Sequence, residues 1–181
     1  MAEIKSFKKR KLVIGIMAGE PEVFSITKEE LGNIFGPIDM ESDFFPFTYT
    51  DYYSKQMGGA SLLRKFISFG TLIDPETLSE IKIATNRVEE KIRTRLQSPH
   101  RIVNIDPGII NDSSLIMATV KDFSHRVPLQ QGIYGHLEFL FGKNEIRILD
   151  WTYPDFREET YHSFFLDARK KYLEQVKYQL T

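Results

Sequence analysis

Between Asp74 and Leu96, the residues Leu78, Ile81, Ala84, Val88, Ile92 and Leu96 recur at spacings of three and four, behind an Asp-Pro pair that caps and opens a helix. A helix of this kind is marginal alone in water, and its apolar stripe has to be buried against a second layer. The chain supplies strands for that layer. Leu12 to Met17 and Ile102 to Ile105 are short apolar runs rich in β-branched residues, closed by AGEP in one case and by Asp106-Pro107-Gly108 in the other. Arg126 to Leu129, Ile133 to Phe141 and Glu145 to Trp151 read as a meander, with turns at Gln131-Gly132 and Gly142-Lys143-Asn144.

Around these lie further elements. Thr27 and Glu30 have the spacing of a capping box, so a first helix is expected to begin there, carry Leu31, Ile34 and Phe35 on its apolar face, and stop at Gly36-Pro37. A strand is expected from Ile38 to Phe45 or Phe47, and a short helix over residues 61–68. The run NDSSLIMATVKDFSHR suits a strand or a helix; a cap at Asp112, Ser113 or Ser114, with Leu115, Thr119 and Phe123 on one face, favours helix. A last helix over about residues 157–180 presents Tyr161, Phe164, Phe165, Ala168, Tyr172 and Val176.

This order predicts the α+β class: one domain, a mixed sheet of about six strands with helices packed on it, and a long C-terminal helix. A chain of 181 residues with 41% hydrophobic content fits a single core, with residues 1–10 as a flexible lead-in. Short returns between elements would point strands one, two, three and the last the same way. AGEPE, FPFTYTDYY, DPGIIN and WTYPDFR would then meet at one edge of the sheet, where ligands favour open α/β sheets.

The stretches FGPIDMESDFFPFTYTDYYSKQMG, LIDPETLSEIKIATNRVEEKI, VNIDPGII, ATVKDFSHRVPLQQGIYGHLEF and WTYPDFR resemble the bacterial and archaeal family called domain of unknown function 4416, from about Leu12 to Ala168. The resemblance implies no particular reaction. A GTP-binding label attached to some members implies a phosphate site, but the residues argue against one: there is no G-x-x-x-x-G-K-[ST] loop and no G-x-G-x-x-G fingerprint.

Other function classes are narrowed in the same way. With no cysteine, disulfides, thiolate metal sites and a cysteine nucleophile are excluded. A formal charge of -1 asks for neither nucleic acid nor an anionic membrane. The first apolar run is too short for a signal peptide or a span, so a cytoplasmic protein is expected. No serine sits in a G-x-S-x-G elbow and no H-E-x-x-H occurs, so no metal site is assigned, and the sequence leaves any cofactor unknown. His125 and His136 could meet across the meander.

The candidate site is therefore built from the strand ends. Asp106, before a Pro-Gly, is either a carboxylate holding its own turn or a functional acid at a strand mouth, with Asn104 two residues back on the same face. Asp51 is the second candidate acid, set among the aromatics of FPFTYTDYY with Tyr52. Tyr134 and Tyr153 complete the expected wall, and crowded carboxylates there should leave at least one acid easier to protonate than a free Asp. Lys121, His125 and Arg126 of KDFSHR offer cations to an anionic ligand; the structural alternative is that they complete a helix C-terminus. Asp155 is expected to cap the last helix. The expectation is a binding protein or enzyme for a small molecule, an anionic metabolite or something nucleotide-like, working through Asp106 or Asp51. The alternative is a non-catalytic domain for protein interaction or self-association, including a homo-oligomer.

Overall fold

The computed structural model describes residues 3–49, 57 and 61–178. Strand β1 (Arg10–Ala18) runs through the middle of the molecule, with every residue after Arg10 buried. Because successive side chains point to opposite faces, Leu12, Ile14, Ile16 and Ala18 enter one core and Val13 a second. Helices α1 (Pro21–Phe35) and α2 (Leu78–Arg95, preceded by a 3-10 turn) cover the first face through Phe24, Leu31, Ile81, Val88 and Ile92. Helix α3 (Glu159–Tyr178) covers the second through Tyr161, Phe164, Phe165, Ala168 and Tyr172.

The α+β class and the long C-terminal helix are as the sequence predicts. The sheet is larger and more regular. Among the described residues it has nine strands: β2 (Ile38–Glu41), β3 (Phe45–Phe47), β4 (Leu62–Ile73), β5 (Val103–Ile110), β6 (Ser114–Thr119), β7 (Val127–Pro128), β8 (Tyr134–Phe141) and β9 (Ile146–Ile148) join β1. The order is β2-β4-β1-β5-β6-β8-β7, with β3 on β4 and β9 on β8, and every pair is antiparallel rather than mixed.

Four local differences have physical causes. Residues 62–68, in the stretch expected to be a short helix, form the start of β4 instead, because β1 and β3 claim both its edges. Residues 114–119 are β6, held between β5 and β8, so KDFSHR follows a strand and completes no helix. Helix α1 starts at Pro21, a residue preorganised for a first helical position, while Thr27 lies inside the helix and its hydroxyl donates to the Val23 carbonyl at 2.7 Å. Strand β5 runs straight through Asp106-Pro107-Gly108.

The β1–β4 ladder slips between Lys11↔Leu72 and Val13↔Ser68. The fully buried Lys11 ammonium sits at this slip, donating to Asp39 at 2.8 Å, to the Phe69 carbonyl at 3.0 Å and to Gln175 of α3 at 3.1 Å. All three of its donors are used, which is what a buried ammonium requires. Among the described residues no helix is long and apolar enough to cross a membrane.

Candidate functional site

Strands β5 and β6 form a hairpin that is zipped only near its turn. Pairing covers Gly108↔Met117, Ile109↔Ile116 and Ile110↔Leu115, whereas β5 stays paired to β1 along its whole length. Beyond Gly108 the two strands part, and the gap opens a cleft of about 750 Å³. Gly108 marks the closest approach: a Cβ there would lie 2.9 Å from the Ile116 carbonyl oxygen, so only glycine lets β6 close in.

Residues 103–107 of β5 have lost a strand neighbour on this side, and side chains take over. The Ile105 carbonyl accepts from Lys82 Nζ at 2.8 Å, and its N–H donates to Glu89 Oε1 at 2.7 Å, both from α2. Pro107, two residues on, turns its missing N–H to the same open edge, so no ladder bond is forfeited and the strand continues. Lys82, Asn86 and Glu89 lie on one side of α2 at helical spacing and all three line the cleft.

Asp106 stands on the cleft wall opposite Gly15 of β1. Lys82 Nζ approaches one carboxylate oxygen at 3.3 Å, Arg64 Nη1 approaches the other at 3.3 Å, and the Asn104 amide donates to that second oxygen. Arg64 reaches on to Asp155 at 2.9 Å, its guanidinium set among the rings of Phe47, Phe66 and Phe156. Burial by itself would push the Asp106 carboxyl up, but the Lys82 and Arg64 cations outweigh it and hold its pKa below the usual value. Of the two acids expected from the sequence to crowd here, at least one of them easier to protonate than a free Asp, Asp106 is therefore not that one.

The facing wall comes from β8 and the segment after β9. His136 and Glu138 are both buried. Glu138 Oε1 accepts from the Tyr153 N–H at 2.7 Å, and Oε2 lies 3.2 Å from His136 Nε2 but off the line of a hydrogen bond, so both of those atoms lack a hydrogen-bond partner. Burial drives the Glu138 carboxyl up, reinforced by Asp155 and opposed by His136 and the Tyr153 N–H; the net shift is upward. Glu89 is also raised by burial, against the pull of Arg101, which it meets at 2.6 Å.

Of the residues singled out in the sequence, Asp106, Asn104, Lys121, His136, Tyr153 and Asp155 line this one cleft. Arg126 is held behind the wall, donating to the Tyr153 hydroxyl at 2.6 Å and to His136 Nδ1 at 3.3 Å, and His125 approaches the same nitrogen at 3.1 Å, so the two histidines do meet. Tyr134 pairs with Thr119 and Pro128 in the sheet, away from the cleft lining. Asp51 and Tyr52 lie outside the described residues. Asp155 caps no helix; it is buried on Arg64. AGEPE borders a separate, smaller cavity of about 290 Å³. Among the described residues, no three His, Asp or Glu side chains are grouped to hold a metal.

Sequence reading passed over Arg64, Lys82, Glu89 and Glu138. Two signals were available: Lys82 and Glu89, seven residues apart beside an apolar helix stripe, and His136 with Glu138 two apart in a strand otherwise dominated by apolar residues. No curated protein and no solved structure matches this chain. Residues 8–172 match the family model described as Domain of unknown function (DUF4416), nearly the whole of the 181-residue chain, and the protein belongs to that family.

Proposed function

We propose that this protein binds a small polar metabolite in the cleft between β5 and β6 and acts on it by proton transfer, with Asp106 as the ionised acceptor and Glu138 as the proton donor. The observation that carries this reading is the placement of two carboxyl groups in one cleft whose surroundings push their pKa values apart, Asp106 down and Glu138 up. Such a pair divides acid from base work at a single pH. The volume of about 750 Å³ suits a metabolite. Phe47, Tyr49, Tyr153 and Phe156 give flat apolar surface, and Arg101 with Lys121 can receive the anionic end of a ligand.

A melting-temperature screen against sugar phosphates, nucleotides, amino acids and organic acids tests the proposal, because a ligand of the native state raises the midpoint. The expected hit perturbs the NMR signals of Asn104, Asp106 and Tyr153, and its binding changes in Asp106→Asn. Hits that perturb only signals remote from the cleft would overturn the reading. The interaction-domain alternative draws on one observation, the exposed Val120, Phe123, Val127 and Leu129 beside the cleft. Concentration-dependent association abolished by Phe123→Ser would favour it.

A further inference from the structure

The acid assigned to Glu138 lines the cleft, yet neither it nor His136 exposes surface of its own to solvent. A donor that gives up its proton to a ligand needs another, and a bound ligand would close the only obvious route, the cleft itself. The side chains behind the wall offer a second route. His125 is half-buried on the outer surface, stacked on Trp151 at 5.2 Å, with its Nε2 3.1 Å from Nδ1 of His136. On the far side of the same ring, Nε2 of His136 lies 3.2 Å from Glu138 Oε2.

The protons in this row can be placed. An arginine only donates, and Arg126 Nε points at Nδ1 of His136 at 3.3 Å, so that nitrogen carries a lone pair. His125 Nε2, facing the same lone pair, must then be the N–H, and the proton of His136 sits on Nε2, toward Glu138. Arg126 is itself fixed by donating to the Lys121 carbonyl at 2.7 Å and the Tyr153 hydroxyl at 2.6 Å. Nε2 and Oε2 lie 3.2 Å apart but unaligned, so the last transfer requires the Glu138 carboxylate or the His136 ring to turn into line.

We infer that His125 and His136 form a proton relay connecting solvent to Glu138 from behind the cleft. This rests on the acid role proposed above for Glu138. A solvent proton binds His125 at Nδ1, the His125 Nε2 proton moves to His136 Nδ1, and the His136 Nε2 proton moves to Glu138 Oε2. One net proton arrives, each ring stays neutral in its other tautomer, and no bond between heavy atoms changes. The reverse movement discharges Glu138 to water and relieves the contact between the Arg126 N–H and the protonated Nδ1 of His136. The charged and titratable groups around the row are Arg126 from the His125 loop and Tyr153 and Asp155 from the segment before α3, with Asp106 on the opposite cleft wall. Burial, then His136 and Arg126, lower the pKa of His125, which favours its neutral form at neutral pH.

The test is hydrogen exchange of the His136 ring N–H, followed by NMR on the free full-length protein in buffer, so that no ligand enters. His125→Gln preserves size and can still donate to His136 Nδ1 but cannot relay a proton. The expected result is a ring proton on Nε2 of His136 whose exchange slows at least about tenfold in His125→Gln, with the backbone spectrum otherwise retained. Equal exchange in both proteins, or a ring proton found on Nδ1, would overturn the relay while leaving the cleft reading to its own ligand screen. A relay seen in exchange together with a screen whose hits all map away from the cleft would instead uphold the proton path and remove the enzyme reading. Arg126→Met supplies a second check: without the obligate donor at Nδ1, His125 Nε2 can accept as well as donate, so both tautomers of His136 should be populated; a single unchanged tautomer would count against the assignment on which the relay depends.

Discussion

Gly15 lies directly across the β1–β5 ladder from Asp106, and the guanidinium of Arg64 occupies the space that a side chain at position 15 would fill. A Cβ on Gly15 would sit 3.0 Å from Arg64 Nη1 and 3.2 Å from a ring carbon of Phe66. The guanidinium is pinned by two carboxylates and cannot swing aside without losing one. Gly15→Ala should therefore cost about 1 to 3 kcal/mol by overpacking, read from the denaturant midpoint. A cost under about 0.5 kcal/mol would mean that the Arg64 bridge yields freely.

The Asp106 bridge also fixes a pH dependence. The ordinary Asp value is 3.8 and the folded-state value is lower, so the unfolded chain takes up a proton first as the solution is acidified. The contribution of Asp106 is full above 3.8 and lost as pH falls through the folded pKa, and Asp39 acts in the same direction. Glu138 has the opposite sign: its folded pKa lies above 4.5, so it weakens the fold as pH rises beyond that value. Asp106→Asn should cost about 3 kcal/mol at pH 7, toward the low end for a broken buried pair because its carboxylate is partly exposed, and should flatten the acid limb of stability against pH. Glu138→Gln should stabilise the protein at pH 7 relative to pH 4. An unchanged acid limb in Asp106→Asn would refute the assignment.

Lys11 and Asp39 should respond unequally. Lys11→Met keeps the volume, and Asp39 retains Ser68 at 2.6 Å and Lys171 at 3.3 Å. Asp39→Ala strands the buried Lys11 ammonium with only a carbonyl and an amide oxygen. The second change is expected to cost about 3 to 5 kcal/mol and the first clearly less, as measured by chemical denaturation. Equal costs would show that Lys11 reaches water in the variant.

Phe165 tests the seat of α3. It is almost fully buried and meets Phe66, Phe139, Phe156 and Phe164 with ring centroids between 4.9 and 5.6 Å apart. Phe165→Ala should remove about 3 to 5 kcal/mol of stability. A loss below about 1 kcal/mol would place that helix elsewhere.

What could be read in advance follows from how local each signal is. Strand β1, helices α2 and α3 and the β7–β9 meander carry their own periodicity and turns, and all lie near where the sequence places them. The segments 61–68 and 114–119 carry short apolar stretches compatible with either element, and neighbouring strands decide them. Asp106-Pro107-Gly108 is a turn by composition; it stays extended because one edge of β5 is already open. Half of the cleft was within reach for the same reason: Asp106, Asn104 and Tyr153 sit in conspicuous motifs, whereas Arg64 and Lys82 acquire their meaning only when three elements converge on one carboxylate.

The β5–β6 turn, at the opposite end of these strands from the cleft, is tied by Asn111, whose side-chain oxygen accepts the N–H groups of Ser113 at 2.7 Å and Ser114 at 2.8 Å. It is the covalent link between the wall that carries Asp106 and the β6–β8 wall that carries Glu138. One residue inserted there would slide β6, and β8 with it, by about 3.3 Å against β5 and turn its side chains over. Chain length in that turn is thus a dimension of the cleft.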